Sequence, residues 1–577
     1  MLGRTGSLRV FSSVALAILG CSPPAAAPTD AGADAPIDAH VAASDVGLDA
    51  GRAPDVCDAL SLTRTPFRTT GMGTGMGQVA GDFTVHTLND GTFSLESNWS
   101  GCESYVFFVH LPGVTDGVIH TAPDRLLTEG RRNVRYFYIS AEPDEGARIA
   151  LMEALAALLE EAFAFQAIDD PAEQQFWRER FHYVTDDATA IDGSVSAYLN
   201  AYLTYARTAA SAVDLGTRGR AYPPPPAVFG IDRAQTWDPG DSMSPAVGAP
   251  ADQLGMAAFL SQFYEYRGTL EARLAAETGT TVVSLLDQTT TGRVFTEDVT
   301  LPAAAAMAGF DTMEVDVEIT CNNGNPFGCS EWDRIADVQL CVDGHACTER
   351  LEIARWITPY WRRGRQHYLI DATPLLGLLR DGGDRSFFVE LGPDWERATE
   401  WDAQISLRLR TQGARPRATG AVRAFTGGAF DASYNMRPPF TFTPPAGVTR
   451  VELVTILTGH GQTAGDSCAE WCDHRHDFSV NGTAVPEIRH EGARIGTDRG
   501  CAARASEGVI PGQWGNWAQS RAYWCPGLAT QPLRTDITSS VTPGSPNELT
   551  YQGHLGTAAP RGGDIDLSAY VVWYVDP

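Results

Sequence analysis

A chain of 577 residues is too long for one hydrophobic core and points to several domains. With 43 basic against 71 acidic residues its formal charge is -28, which excludes the basic face that nucleic acid requires. All 43 basic residues are arginine, so P-loop, kinase-strand and Schiff-base lysines are missing, and nucleotide-driven or lysine-based covalent chemistry is excluded with them.

The amino end reads as a targeting segment. Arg4 and Arg9 flank or precede an apolar run from Val10 to Leu19 that is too short to cross a bilayer. It ends in Ile18-Leu19-Gly20-Cys21, which resembles the bacterial lipoprotein cleavage box, so residues 1–20 are expected to be removed and Cys21 to carry lipid. Residues 21–56, rich in Ala, Asp and Pro, cannot bury enough surface to offset ordering entropy and are expected to form a disordered tether. These features imply an exported lipoprotein at the outer membrane or cell surface, attached to membrane by its lipid alone.

Setting Cys21 aside leaves ten of the 11 cysteines, an even number that in an exported protein points to five disulfides. Zinc is the rival. The cysteine pairs lack zinc-knuckle spacing, and His474 and His476 alternate as strand residues do, so disulfides are preferred and no metal or other cofactor is expected.

Between residues 57 and 279, strand-like runs at Tyr105–Leu111, Val134–Ser140 and Phe181–Thr185 alternate with helical periodicity at Asp144–Phe165, Val195–Val213 and Gln253–Glu277. This order implies an α/β domain, faintly thioredoxin-like, with Trp99-Ser100-Gly101-Cys102 near where a redox motif would lie. There is no Cys-x-x-Cys, so Cys102 is assigned to a staple with Cys57. The sequence does not tell what this domain does.

From about Thr280 the texture changes to short alternating strands, including Met313–Ile319, Ile405–Arg410 and Val451–Leu457, divided by Gly/Pro-rich turns. Such strands imply antiparallel sandwiches or jelly rolls. A break near residues 415–430 would divide them into 280–415 and 416–577, with Arg437–Pro445 as a Pro-rich linker.

Four motifs in this half carry chemistry. The first is Cys329-Ser330-Glu331-Trp332-Asp333-Arg334-Ile335-Ala336, and the second Ile357-Thr358-Pro359-Tyr360-Trp361. The third is Cys468-Ala469-Glu470-Trp471-Cys472; the fourth is Asn516-Trp517-Ala518, followed by Arg521 and Trp524-Cys525-Pro526-Gly527. On a strand, Trp332 and Arg334 share one face and Asp333 projects from the other. Aromatic surroundings raise a carboxyl pKa and a guanidinium lowers it, and the sequence leaves that contest open. Read alone, Glu-Trp-Asp-Arg fits a surface ion pair beside a core tryptophan better than a catalytic group. A disulfide across the Cys468–Cys472 ring would present Glu470 with little freedom, as preorganised catalysis requires, or the glutamate is simply exposed on a structural loop.

In their order and spacing these motifs resemble the peptide-N-glycosidase F family over roughly residues 280–577. The resemblance implies two antiparallel jelly rolls packed side by side with the active site at their interface. It also implies the hydrolysis of the amide between GlcNAc and asparagine, leaving aspartate. Asp333 takes the place of the principal catalytic aspartate, Glu470 that of the glutamate contacting the chitobiose core, and Arg521 that of a substrate-site arginine. The family's remaining acidic residue falls on Glu390 or Asp394, separated here by a small insertion before Trp395, with Glu390 the better strand position. Trp332, Arg334, Trp395, Trp471 and Arg521 are the candidate substrate contacts, with Trp517 a further stacking candidate. One carboxylate would activate water, and Arg521 or Arg334 would stabilise charge on the carbonyl oxygen.

Local pairing, favoured by loop-closure entropy, gives Cys57–Cys102, Cys321–Cys329, Cys341–Cys347, Cys468–Cys472 and Cys501–Cys525; three of these match family positions. Cys341–Cys347 is expected to staple an extra hairpin with Asp343 and Gly344 at its tip. A monomer acting on N-linked glycans is expected. A glycoside hydrolase and a non-catalytic glycan-binding lipoprotein are the alternatives.

Overall fold

The computed structural model describes residues 55–577 except 75–76, 114, 189, 197–198, 201–227, 242–249, 322–329, 331, 361, 363, 393–399, 414–415, 462–466, 493–498, 514 and 577. Cys21, Cys329, Asp394 and Trp395 lie outside the described residues, and so do the lipidation, the Cys321–Cys329 pair and most of the helix expected over Val195–Val213. The other four cysteine pairs are present: Cys57–Cys102, Cys341–Cys347, Cys468–Cys472 and Cys501–Cys525. Among the described residues no helix is long and apolar enough to cross a membrane.

The amino-terminal sheet comprises β1 (Phe83–Thr87), β2 (Gly91–Ser94), β3 (Ser104–His110), β4 (Val134–Ser140), β5 (Phe181–Asp187), β6 (Asp192–Gly193), β7 (Val228–Ile231) and β8 (Trp237–Asp241). Their order is β2-β1-β5-β4-β3-β7-β8, with β6 beside β1. β3, β4 and β5 run parallel. Every residue of β3 is buried, as a continuous apolar strand covered on both faces must be. The helix Glu145–Phe165 is capped by Asp144, whose carboxylate accepts from the Ala147 amide, and turns Met152, Leu155, Leu159 and Phe163 inward. The helix Ala257–Ala276 follows β8 and buries Phe259, Phe263, Tyr264 and Arg267. Its polar residues reach the next domain: Glu271 meets His367 at 2.8 Å, Arg273 meets Glu314 at 2.8 Å, and Glu277 meets Arg408 at 2.7 Å.

The first sandwich is built from β9 (Thr281–Thr290), β10 (Val294–Ala303), β11 (Thr312–Cys321), β12 (Ile335–Cys341), β13 (Arg350–Ile357), β14 (Arg365–Asp371), β15 (Gly382–Glu390) and β16 (Trp401–Arg410). The second contains β17 (Arg417–Ala429), β18 (Phe440–Phe442), β19 (Arg450–His460), β20 (Asp473–Val480), β21 (Thr483–Ala484), β22 (Ile488–Glu491), β24 (Leu533–Asp536), β25 (Asn547–His554) and β26 (Asp564–Val575). Its sheets run β17-β26-β19-β24 and β18-β25-β20-β21, with β22 on β20. Those of the first run β14-β11-β16-β9 and β10-β15-β12-β13, and the latter gains β23 (Ala529–Thr530) from the later chain. All these pairings are antiparallel, and alternation sets their faces: β16 buries Trp401, Ala403, Ile405, Leu407 and Leu409.

Two expectations need correction. The supposed break at residues 415–430 is largely occupied by β17, which pairs with β26 along its length despite its Gly/Ala-rich sequence. The Pro-rich linker contains the edge strand β18, where the flanking prolines need donate nothing to a ladder. The Cys341–Cys347 pair staples the hairpin formed by β12 and β13, where Asp343 in the turn accepts from the Thr348 amide.

Candidate active site

Asp333 lies just before β12, in a loop and not on a strand, so the strand reading of its neighbours does not hold. Thr358 clamps this loop. Its amide donates to the Arg334 carbonyl at 2.9 Å, and its hydroxyl accepts from the Arg334 amide at 2.7 Å and donates to the Trp332 carbonyl at 3.0 Å. The two chain neighbours of Asp333 are thus held by hydrogen bonds to their backbones, which restricts where the aspartate can point.

Glu470 sits on the single helical turn Cys468–Trp471, which the Cys468–Cys472 disulfide closes and which Ser467 enters with a positive φ of 45°. Behind it runs Gly459 of β19, where any Cβ would clash with the Ala469 carbonyl oxygen. The Ala522 amide donates to the Glu470 carbonyl at 3.2 Å, which joins this turn to the segment carrying Arg521. That segment is stapled at its ends by Cys501–Cys525.

Arg521 gathers the pieces. Its Nε lies 3.1 Å from Glu470 Oε1 and 3.7 Å from Asp333 Oδ2. Nη2 donates to Asn516 Oδ1 at 2.9 Å and to the Tyr360 hydroxyl at 3.3 Å, and Nη1 donates to the Gln519 carbonyl at 3.1 Å. Tyr360 in turn donates its hydroxyl to Asp333 Oδ2. The second Glu470 oxygen accepts from the Gly461 amide at 3.0 Å. The guanidinium stands over the Trp471 ring at 4.8 Å and the Trp524 ring at 5.0 Å. The Arg521 side chain is 0% exposed, against 7% for Asp333 and 10% for Glu470, so it holds the carboxylates from behind while they keep the open side.

One guanidinium facing two buried carboxylates cannot balance both. Burial raises the Asp333 carboxyl above its ordinary range, against the pull of Arg521 and the Tyr360 hydroxyl. Burial also raises Glu470, to about 7; Arg521 opposes this and repulsion from Asp333 adds to it. The pair is thus poised to hold a proton near neutrality, the condition for acid–base work.

Glu390 stands elsewhere. It ends β15 in register with Asp337 of β12, not with Asp333. Asp337 is itself pushed up by burial and by the neighbouring carboxylates Glu352 and Glu390. Arg355, directly opposite Asp337 on β13, binds Glu352 and reaches Thr458 Oγ1 of the second sandwich at 2.6 Å. Trp332 and Trp471 are half-buried beside the carboxylates, with Trp332 edge-on to Tyr360 at 6.4 Å. Trp517 is 1% exposed within the core, which removes it as a platform for sugar. His474 and His476 share the buried face of β20, His474 Nδ1 lying 3.1 Å from His476 Nε2, and burial lowers the pKa of both.

Sequence reasoning missed Tyr360 and Asn516 as members of the cluster. Both lie inside quoted motifs, and a tyrosine three residues after the end of a strand, beyond Thr358 and Pro359, was the available signal.

Residues 430–572 match the family described as Peptide-N-glycosidase F, C terminal. A relative from Elizabethkingia miricola, peptide-N(4)-(N-acetyl-beta-D-glucosaminyl)asparagine amidase F, is 27% identical over 280 residues, covering 45% of this chain and 73% of the relative. A crystal structure of a peptide-N(4)-(N-acetyl-beta-D-glucosaminyl)asparagine amidase aligns at 22% identity over 52% of this chain and 96% of its own, with a TM-score of 0.42. The structure of PNGase F, a glycosylasparaginase from Flavobacterium meningosepticum, aligns at 21% identity over 52% and 96%, with a TM-score of 0.39. By sequence, then, the chain is similar to the peptide-N-glycosidase F family over its carboxyl-terminal half, with residues 430–572 matching that family's C-terminal domain.

Proposed function

We propose that the Asp333–Glu470 site hydrolyses the amide joining GlcNAc to asparagine in N-glycoproteins or N-glycopeptides. The observation that carries this reading is the convergence of two buried carboxylates, from separate sandwiches, on Arg521 and Tyr360. The name of the Elizabethkingia relative points to the same bond. In the proposed step Asp333 takes a proton from water, the water oxygen bonds to the side-chain carbonyl carbon, and the carbon–nitrogen bond breaks as that proton passes on to the departing nitrogen. The products are an aspartate side chain and a glycosylamine, which loses ammonia in water. Arg334, beside Asp333 and half-buried, is assigned to charge on the carbonyl oxygen; Glu470, Trp332 and Trp471 are assigned to the sugar. Arg521, enclosed behind them, is assigned to positioning.

The strand orders support reading each sandwich as a jelly roll: a four-stranded sheet, in which the first strand of the sandwich neighbours its last, facing a five-stranded one. The order β4-β3-β7-β8, with helices after β3, β4 and β8, supports a thioredoxin-like reading of the amino-terminal domain.

The test is incubation of the purified protein with an N-glycopeptide and mass analysis of the peptide. Conversion of asparagine to aspartate with loss of the whole glycan is expected. A peptide that retains one GlcNAc would instead mark a glycoside hydrolase, and an unchanged glycopeptide a binding protein. We also propose attachment to the outer membrane through lipid on Cys21; Cys21→Ala is expected to move the protein to the soluble fraction, and unaltered fractionation would refute it.

A further inference from the structure

The amino-terminal domain touches the catalytic half through a buried charge network. Asp238 of β8 accepts from Arg362 Nη2 at 2.6 Å, from Arg267 Nη1 at 2.9 Å, from the Tyr264 hydroxyl at 3.1 Å and from the Gly240 amide at 2.9 Å. Arg267 also binds Asp232 Oδ2 at 2.7 Å. Both the Asp238 and Arg362 side chains are at least 97% buried, with exposures of 3% and 2%. Burial alone would raise the Asp238 carboxyl; the guanidiniums of Arg362 and Arg267 hold it well below its usual range.

Arg362 belongs to the other half of the molecule and stands two residues beyond Tyr360. Its Nε donates to the Pro511 carbonyl at 3.0 Å. Gln513, 0% exposed, ties the same strands of chain together: it accepts from the Tyr360 amide at 2.9 Å and donates to the Ile510 and Pro526 carbonyls, each at 2.7 Å. The segment so fixed, 510–526, is the one that supplies Asn516, Gln519 and Arg521. Outside it, the helix Ala257–Ala276 packs on the turn Ala502–Glu507, Tyr266 lying against Gly508. Two loops meet at the carboxylates, and the group joining them to each other is anchored in a domain none of whose described residues belongs to the Asp333–Glu470–Arg521 cluster.

We propose that the amino-terminal domain positions the amidase site, with Asp238 acting on Tyr360 and Arg521 through Arg362. The inference rests on the amidase reading for its kinetic arm only. A carboxylate so placed orients the Arg362 fork, and the fork sets the spacing between Tyr360 and the 510–526 segment. Misplacement by about 1 Å at such a remove costs on the order of a hundredfold in rate.

The experiment uses the whole chain and two variants. Asp238→Asn keeps the side-chain size and removes the charge. Tyr264→Phe removes one hydroxyl donor to Asp238 and leaves every ion pair. For each, kcat and KM with an N-glycopeptide are measured, together with deuterium exchange in peptides covering 357–362 and 510–526. Asp238→Asn is expected to lower kcat by roughly tenfold to a hundredfold with KM little changed, and to raise exchange in both peptides. Asp238→Glu, which restores the charge, should recover part of kcat. Tyr264→Phe should give a smaller change of the same kind, and it decides the matter if Asp238→Asn fails to fold. Folded variants with wild-type kcat and wild-type exchange would overturn the proposal. A wild-type protein without amidase activity, but whose variants still loosen 357–362 and 510–526, would sink the amidase reading and leave the positioning role standing.

Discussion

Asp333→Asn is expected to lower turnover of an N-glycopeptide by roughly a thousandfold or more, because the amide keeps the shape of the carboxylate and loses its basicity. Binding of glycan should survive, since Trp332, Trp471 and Glu470 are untouched. The same substitution carries a second readout that needs no substrate. Glu470 is raised to about 7 by burial and then by repulsion from Asp333. Removing that negative neighbour favours the charged form of Glu470, so its midpoint must fall. Carbon-detected NMR titration of the Glu470 carboxyl should place it near 7 in the wild type and lower in Asp333→Asn. An Asp333→Asn enzyme with near-normal rate would end the proposed mechanism; an unmoved Glu470 midpoint would mean that the two carboxylates do not sense each other.

Arg521→Met should be the more damaging change. It leaves Asp333 and Glu470 buried without their common cation, and strips partners from Asn516, Tyr360 and the Gln519 carbonyl. Breaking a buried ion pair from one side costs about 3–5 kcal/mol, because the charge left behind stays desolvated. Loss of activity with a clear drop in thermal midpoint is therefore expected. Arg521→Lys restores a charge but cannot reach Glu470, Asn516 and Tyr360 together from one nitrogen, so it should recover stability better than rate. A stable, active Arg521→Met protein would show that the carboxylates need no shared cation.

What could be read beforehand divides along physical lines. The strands β11 and β16 announce themselves by alternation, and β3, β4 and β19 by largely apolar runs, because both patterns follow from which faces are covered. β17 hid because its Gly and Ala residues resemble a turn-rich break, and only pairing with β26 makes them a strand. At the site, Asp333, Glu470 and Arg521 were legible through motif resemblance. Their order of burial was not: nothing in Arg521 itself says that it lies behind the acids. Tyr360 was missed because a tyrosine carries no charge to attract notice, and its part depends on a loop that bends it toward Asp333. The Asp238–Arg362 contact spans 124 positions, a separation over which sequence offers no periodicity to read.

β23 takes two residues, Ala529 and Thr530, from beyond the Arg521 segment and lays them along β13, the edge of the first sandwich's sheet. That short addition makes the two sandwiches a single unit of inheritance and of manufacture. A gene fragment that stops at the end of the first sandwich would present the apolar edge of Ile353, Ala354, Trp356 and Ile357 with no neighbour to close it. Shuffling the sandwiches as separate modules, in evolution or in the laboratory, would divide a sheet rather than a linker.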